Sequence, residues 1–152
     1  MVGLVAASGA VSAAVGALIY AGTGYPFGPT EELVGWLRSS ARADDEVVVT
    51  YGGPNLIAMS GLDPAYPYLW SLGVRTLDPD LERLERTLRG PSAPVWVVEW
   101  NQAWAWELDD AGDLRETLAR HYDQVATVCE LEVHLREDVT RTLPWTGARC
   151  DS

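Results

Sequence analysis

The chain has 152 residues, carries 22 acidic against 11 basic side chains for a net charge of -11, and is 47% hydrophobic with seven Trp. That charge repels a phosphate backbone, so a nucleic-acid partner is excluded. The apolar and aromatic content excludes intrinsic disorder, and the length suits a single domain.

Charge is unevenly placed, because Glu31 is the first charged residue. From Val2 to Thr23 there is neither charge nor Pro. At about 1.5 Å per residue such a run crosses a hydrocarbon core of roughly 30 Å. A cleaved signal would want a basic segment first, and only Met1 and Val2 precede the run. Ser8, Ser12 and Gly16 repeat four apart, a small-residue stripe that suits packing against other membrane helices. A transmembrane helix is therefore expected over 1–23, a Pro- and Gly-rich linker over 24–29, and an α/β domain over 30–152. All the basic residues are Arg, which reads as a G+C-rich, bacterial coding sequence rather than as a binding signal.

Thr30 followed by Glu31 and Glu32 predicts an N-cap and a helix to about Arg42, with Leu33, Trp36 and Leu37 on one face. Glu46 to Tyr51 is rich in β-branched residues and predicts a buried strand ended by Gly52-Gly53-Pro54. Asn55 to Ser60 predicts a short helix, and Gly61 to Tyr68 a turn-rich loop. Asp78-Pro79-Asp80 predicts a capped helix start with Pro at the first helical position, its apolar face carrying Leu81, Leu84 and Leu88. Val95 to Trp100 predicts a second buried strand. A helix follows Asp110 or Asp113, with Leu114, Leu118 and Tyr122 on one face. Gln124–Cys129 and Glu130–Arg136 predict a closing hairpin, with Val125, Thr127 and Cys129 alternating along its first strand and Leu131, Val133 and Leu135 along its second. The strand-helix-strand order predicts a small α/β sandwich with a mainly parallel sheet, a C-terminal β-hairpin, and one transmembrane helix before it.

In open parallel sheets ligands bind at the carboxyl ends of the strands. Candidate ligand-binding residues are therefore Tyr51, Gly52, Gly53 and Asn55 after the first strand, and Glu99, Trp100, Asn101 and Trp104 after the second. The glycine pair offers backbone amides to an anion, and Glu99 and Asn101 can hold a sugar hydroxyl against an indole. Turn formation and core packing account for the same residues. His121 and His134 have no partners at metal-ligand spacing, so no metal is expected. No nucleophile motif, phosphate loop or cofactor fingerprint is present, so neither catalytic residue nor cofactor is expected. Glu82, Glu85 and Glu116 are expected on solvent faces of helices, and Trp70, Trp96 and Trp100 in the core. Cys129 and Cys150 fit either two buried thiols or one disulfide. In an oxidising compartment a bridge would pin the tail to the sheet, and it is the expected state.

The order of these features resembles the C-terminal end of bacterial polytopic glycosyltransferases of the GT-C type, relatives of protein mannosyltransferases and of the aminoarabinose transferase. The resemblance is carried by a membrane helix, a linker, a helix, then Asp44–Gly53, Ser60–Trp70 and Pro94–Trp100, with Val125–Cys129 and Val133–Arg136 as the closing strands. It implies an extracytoplasmic domain at the bacterial cell membrane whose partners are the lipid bilayer, the other transmembrane helices of a glycosyltransferase, and a glycan or protein acceptor. In such enzymes the catalytic acids lie in an early loop with no counterpart here. The resemblance thus implies a non-catalytic part of an enzyme that uses a polyprenyl-phosphate sugar. The alternative is a secreted or membrane-anchored carbohydrate or small-ligand binding protein.

Overall fold

Val47 and Val49 face one side of a strand and Val48 the other, and all three are buried, so this strand lies between two layers of side chains. The computed structural model describes residues 28–102 and 105–144, without the side chains of Gly28, Pro29 and Trp106. The elements in order are α1 (Gly28–Ser40), β1 (Glu46–Val49), α2 (Pro54–Ser60), β2 (Asp63–Pro64), α3 (Ser71–Leu77) and α4 (Glu82–Arg89). There follow β3 (Trp96–Glu99), a short 3-10 turn at Ala105–Glu107, α5 (Asp113–His121), β4 (Tyr122–Val128) and β5 (Leu131–Arg136).

The five strands form one sheet in the order β2-β1-β3-β5-β4. β1 pairs parallel with β2 and with β3, whereas β5 runs antiparallel between β3 and β4. The α/β class holds, but the sheet is mixed rather than mainly parallel, because the hairpin folds its second strand inward against β3. One face carries α1 and α2 through Leu33, Leu37, Leu56 and Ile57. The other carries α3, α4 and α5 through Val74, Leu84, Leu88, Leu114 and Leu118. The chain moves from β1 to β2 over the first face and back to β3 over the second, as a constant crossover hand requires.

Several boundaries differ from expectation for local reasons. α1 begins at Gly28, taking Gly28 and Pro29 from the expected linker, so Thr30 lies inside the first turn and is not its N-cap. Pro in the first turn forfeits no helical hydrogen bond. The loop after α2 contains β2, whose Pro64 is tolerated because the strand is an edge. α3 has no counterpart among the predicted elements. Trp70, expected in the core, precedes it and is 66% exposed; Trp96 is fully buried and Trp100 half-buried. In β4 a bulge between Gln124 and Ala126 shifts the alternation, so Ala126 and Val128 are buried in the core, while Val125 is only half-buried against it and Thr127 is exposed. Cys129 and Glu130, both at positive φ (52° and 66°), make the hairpin turn.

The starts of α4 and α5 share one construction. Asp78 is buried and accepts from the backbone amides of Arg83 and Leu84, each at 2.9 Å, and from the Tyr66 hydroxyl at 2.8 Å. Asp109 likewise accepts from the amides of Leu114 at 2.9 Å and Arg115 at 3.2 Å. In each case the residue three places on is left-handed, Leu81 (φ 53°) and Gly112 (φ 79°), and its amide donates back to the Asp carbonyl at 3.0 Å. Pro79 is therefore a turn residue and not the first residue of a helix. Glu85, expected in solvent, keeps only 12% of its side chain exposed beside Arg89, and burial pushes its carboxyl up despite that cation. Glu82 and Glu116 are exposed, as expected.

The segment after β5 returns to the first face. Asp45 is buried and accepts from the Trp96 indole at 3.0 Å, from the Arg42 amide at 3.0 Å and from Arg141 Nε at 3.1 Å. Burial alone would raise its carboxyl, but these donors and the Arg141 charge outweigh it and hold the group below the usual carboxylate range. Trp96 in turn meets Trp36 edge-on, with ring centres 5.7 Å apart.

Among the described residues no helix is long and apolar enough to cross a membrane, and the expected span at 1–23 lies outside them.

Candidate functional site

Beyond the last residues of β1 and β3 the two chains stay tied together. Thr50 donates its amide to Val98 O (3.0 Å) and its hydroxyl to Asn101 O (2.5 Å), while the Asn101 amide donates to Thr50 O (3.3 Å). The Asn101 side chain reaches Tyr51 O at 3.5 Å. The Trp100 indole lies on the glycine pair: a β-carbon at Gly52 or Gly53 would meet it at 3.0 Å. Gly53 is also left-handed, with φ +72°, which only glycine adopts without strain. The fold thus gathers Tyr51, Gly52, Gly53, Glu99, Trp100 and Asn101 at one end of the sheet. Asn55 sits half-buried in the first turn of α2. Trp104 lies outside the described residues, as do the side chain of Trp106 and all of Trp145.

Tyr51 is a non-glycine residue at φ 54°, and its buried ring belongs to the layer under α4 and α5. Burial raises its phenol far above the ordinary value, and the negative charges of Asp109 and Glu99 push the same way. Strained backbone of this kind costs roughly 1–3 kcal/mol and concentrates at functional sites.

Glu99 points to the same face as Val97, toward α5, because alternate residues of a strand share a face. There it meets residues of β5. Glu132 lies directly opposite Glu99 in the ladder, and His134 is two residues further on, opposite Val97. His134 Nε2 is 3.0 Å from Glu99 Oε1 and 3.8 Å from Glu132 Oε2. His134 and Glu99 keep 9% and 13% of their side chains exposed, and Glu132 keeps 43%. Glu99 and His134 line a cavity of about 260 Å³ together with the apolar Leu118, the ring of Tyr122 and the polar Arg115 and Gln124.

Spacing along the chain does not register the carboxylate nearest His134, since Glu99 arrives from another strand. One signal was available: Glu132 and His134 alternate with the core residue Val133, which places both on one face of a strand. His121 ends α5 and lines a separate cavity of about 170 Å³ with Arg89 and Arg136. No described cysteine is a free thiol. Cys129 is half-buried at the hairpin turn, and Cys150 lies outside the described residues.

The chain matches no known protein-family model, and neither a curated protein nor a solved structure shows significant similarity to it.

Proposed function

We propose that the chain is a non-catalytic, extracytoplasmic α/β domain, tethered to the bacterial cell membrane, of a GT-C type glycosyltransferase that uses a lipid-phosphate sugar. Its role is to cover the membrane-embedded helices and to shape acceptor access near Tyr51, Asn55, Glu99 and Asn101. The observation that carries this reading is the closed end of the sheet, where β1 and β3 remain hydrogen-bonded past their last residues and Trp100 covers the glycine pair. Such an end is a rigid surface for a neighbour to pack on.

The test is the coding region upstream of the Met1 codon. In-frame sequence for many membrane helices and an early acidic loop is the expected result; a stop codon followed by an independent ribosome site refutes the reading. Sugar transfer by the full chain alone, abolished by Glu99→Ala, would equally replace it with a catalytic one.

A second reading, a carbohydrate-binding protein, draws support from the exposure of Trp70 beside the equally exposed Leu72. Saturable quenching of tryptophan fluorescence by an oligosaccharide, lost in Trp70→Ser, would favour it.

A further inference from the structure

Glu99 and Glu132 face each other across neighbouring strands, on the same side of the sheet and within reach of one imidazole nitrogen. Like charges placed directly opposite in a ladder are destabilising. A single N–H on Nε2 serves one carboxylate well, and the 3.0 Å contact to Glu99 takes it. A pairing of His134 with Glu99 accounts for that contact and gives no reason for the second carboxylate to stand alongside. A divalent cation in place of that proton accounts for all three groups.

The dimensions fit. One nitrogen and one oxygen from each carboxylate lie within 4.8 Å of one another. Around an ion with bonds of about 2.0–2.1 Å, tetrahedral ligand atoms stand roughly 3.3 Å apart. The separations of 3.0 and 3.8 Å from His134 Nε2 bracket that value, so modest side-chain rotation suffices. All three residues lie on strands of one sheet, which keeps the ligand set rigid. The adjoining cavity leaves room for a further ligand, a water or an anionic oxygen beside Arg115.

We propose that Glu99, Glu132 and His134 form a binding site for a Zn2+-class divalent cation, with an open coordination position toward the cavity under α5. The donor set of one imidazole nitrogen and two carboxylate oxygens selects the ion. Mg2+ and Ca2+ prefer oxygen ligands alone, and the soft ions prefer sulfur. Among first-row divalent ions of this ligand class, Zn2+ outranks Mn2+ and Fe2+. The site is independent of membrane attachment and of the parent enzyme, so it stands or falls apart from the proposed function.

The experiment is equilibrium dialysis of the full 152-residue chain, in mild detergent, against ZnCl2 with metal analysis, alongside Co2+ as a spectroscopic probe. One equivalent of Zn2+ is expected to bind at micromolar concentration and to survive millimolar Mg2+. Co2+ should give visible bands of the intensity of a four- or five-coordinate site. Glu132→Gln changes a side chain that is 43% exposed and leaves the fold intact, and it should weaken binding at least tenfold. His134→Ala should abolish binding, while His121→Ala should leave it unchanged. Retention of Zn2+ affinity within twofold in Glu132→Gln overturns the proposal. So does loss of binding in His121→Ala, or the absence of stoichiometric Zn2+ from protein with native circular dichroism.

Discussion

Asp78 offers the sharpest test of how the helical layer over α4 is held. Replacing it with Ala removes the acceptor of three hydrogen bonds, from the amides of Arg83 and Leu84 and from the Tyr66 hydroxyl. A side-chain cap contributes about 0.5–2 kcal/mol, and a hydrogen bond to a charged group about 1.5–3 kcal/mol. Because the first turn can recruit water once the carboxylate is gone, the expected loss is about 3 kcal/mol, a large share of a typical domain's stability. Asp109→Ala removes only the two amide bonds, together with a 3.7 Å contact to a largely exposed Arg115 that adds little. Its expected loss is about 2 kcal/mol. Urea denaturation of the full chain in mild detergent, followed by tryptophan fluorescence, measures both. Tyr66→Phe alone should cost about 1 kcal/mol, and almost nothing once Asp78 is Ala. An Asp78→Ala loss below about 1 kcal/mol, or additive effects of the two changes, would refute the reasoning.

Four further outcomes are expected. Asp45 has its carboxyl held low in the fold, so its contribution is complete above the unfolded-state value and is lost as pH falls through the folded one; Asp45→Asn should flatten the acid limb of a stability-against-pH curve, and an unchanged limb would count against the Arg141 anchor. Glu130→Gly relieves a left-handed residue in the hairpin turn (φ 66°) and should raise stability by about 0.5–1 kcal/mol, whereas Gly53→Ala, strained at φ +72° and pressed on Trp100, should lower it by about 2 kcal/mol, both read from the same urea curves. A Cys129–Cys150 bridge closes a loop of about 20 residues, contributing roughly 3 kcal/mol on chain-entropy grounds; an intact mass showing two free thiols in protein made without reductant would exclude it.

The buried strands were legible because Val47–Val49 and Trp96–Val98 are continuous apolar runs flanked by turn residues, a pattern that survives any tertiary arrangement. α5 was legible from the spacing of Leu114 and Leu118. What escaped left no trace in the hydrophobic pattern. Leu81 reads as the first apolar residue of a helix, yet Asp78 reaches over a turn to cap α4 and leaves Leu81 left-handed ahead of it. β2 is two residues long and contains Pro64, so no periodicity announces it; pairing with β1 makes it a strand. The alternation in β4 misled because a bulge reverses it midway. At the site, the residues after β1 and β3 were legible from topology alone. His134 was not, since its neighbour Glu99 is supplied by a ladder 35 residues away in sequence.

The placement of β5 sets the order in which the domain can be completed. β3 finds β1 as a neighbour early in synthesis, but its other neighbour is the last of the described strands to leave the ribosome. Until Leu131–Arg136 emerges, β3 presents an open edge, and the layer beneath α1 lacks Val133 and Leu135. The nascent chain therefore cannot bank a finished N-terminal half. Closure is deferred to a single late insertion between two strands already made, which raises the entropic cost of that step and lengthens exposure to proteases and to aggregation. Ribosome-held chains ending at Glu130 should be digested readily, and those long enough to extrude Arg136 should resist.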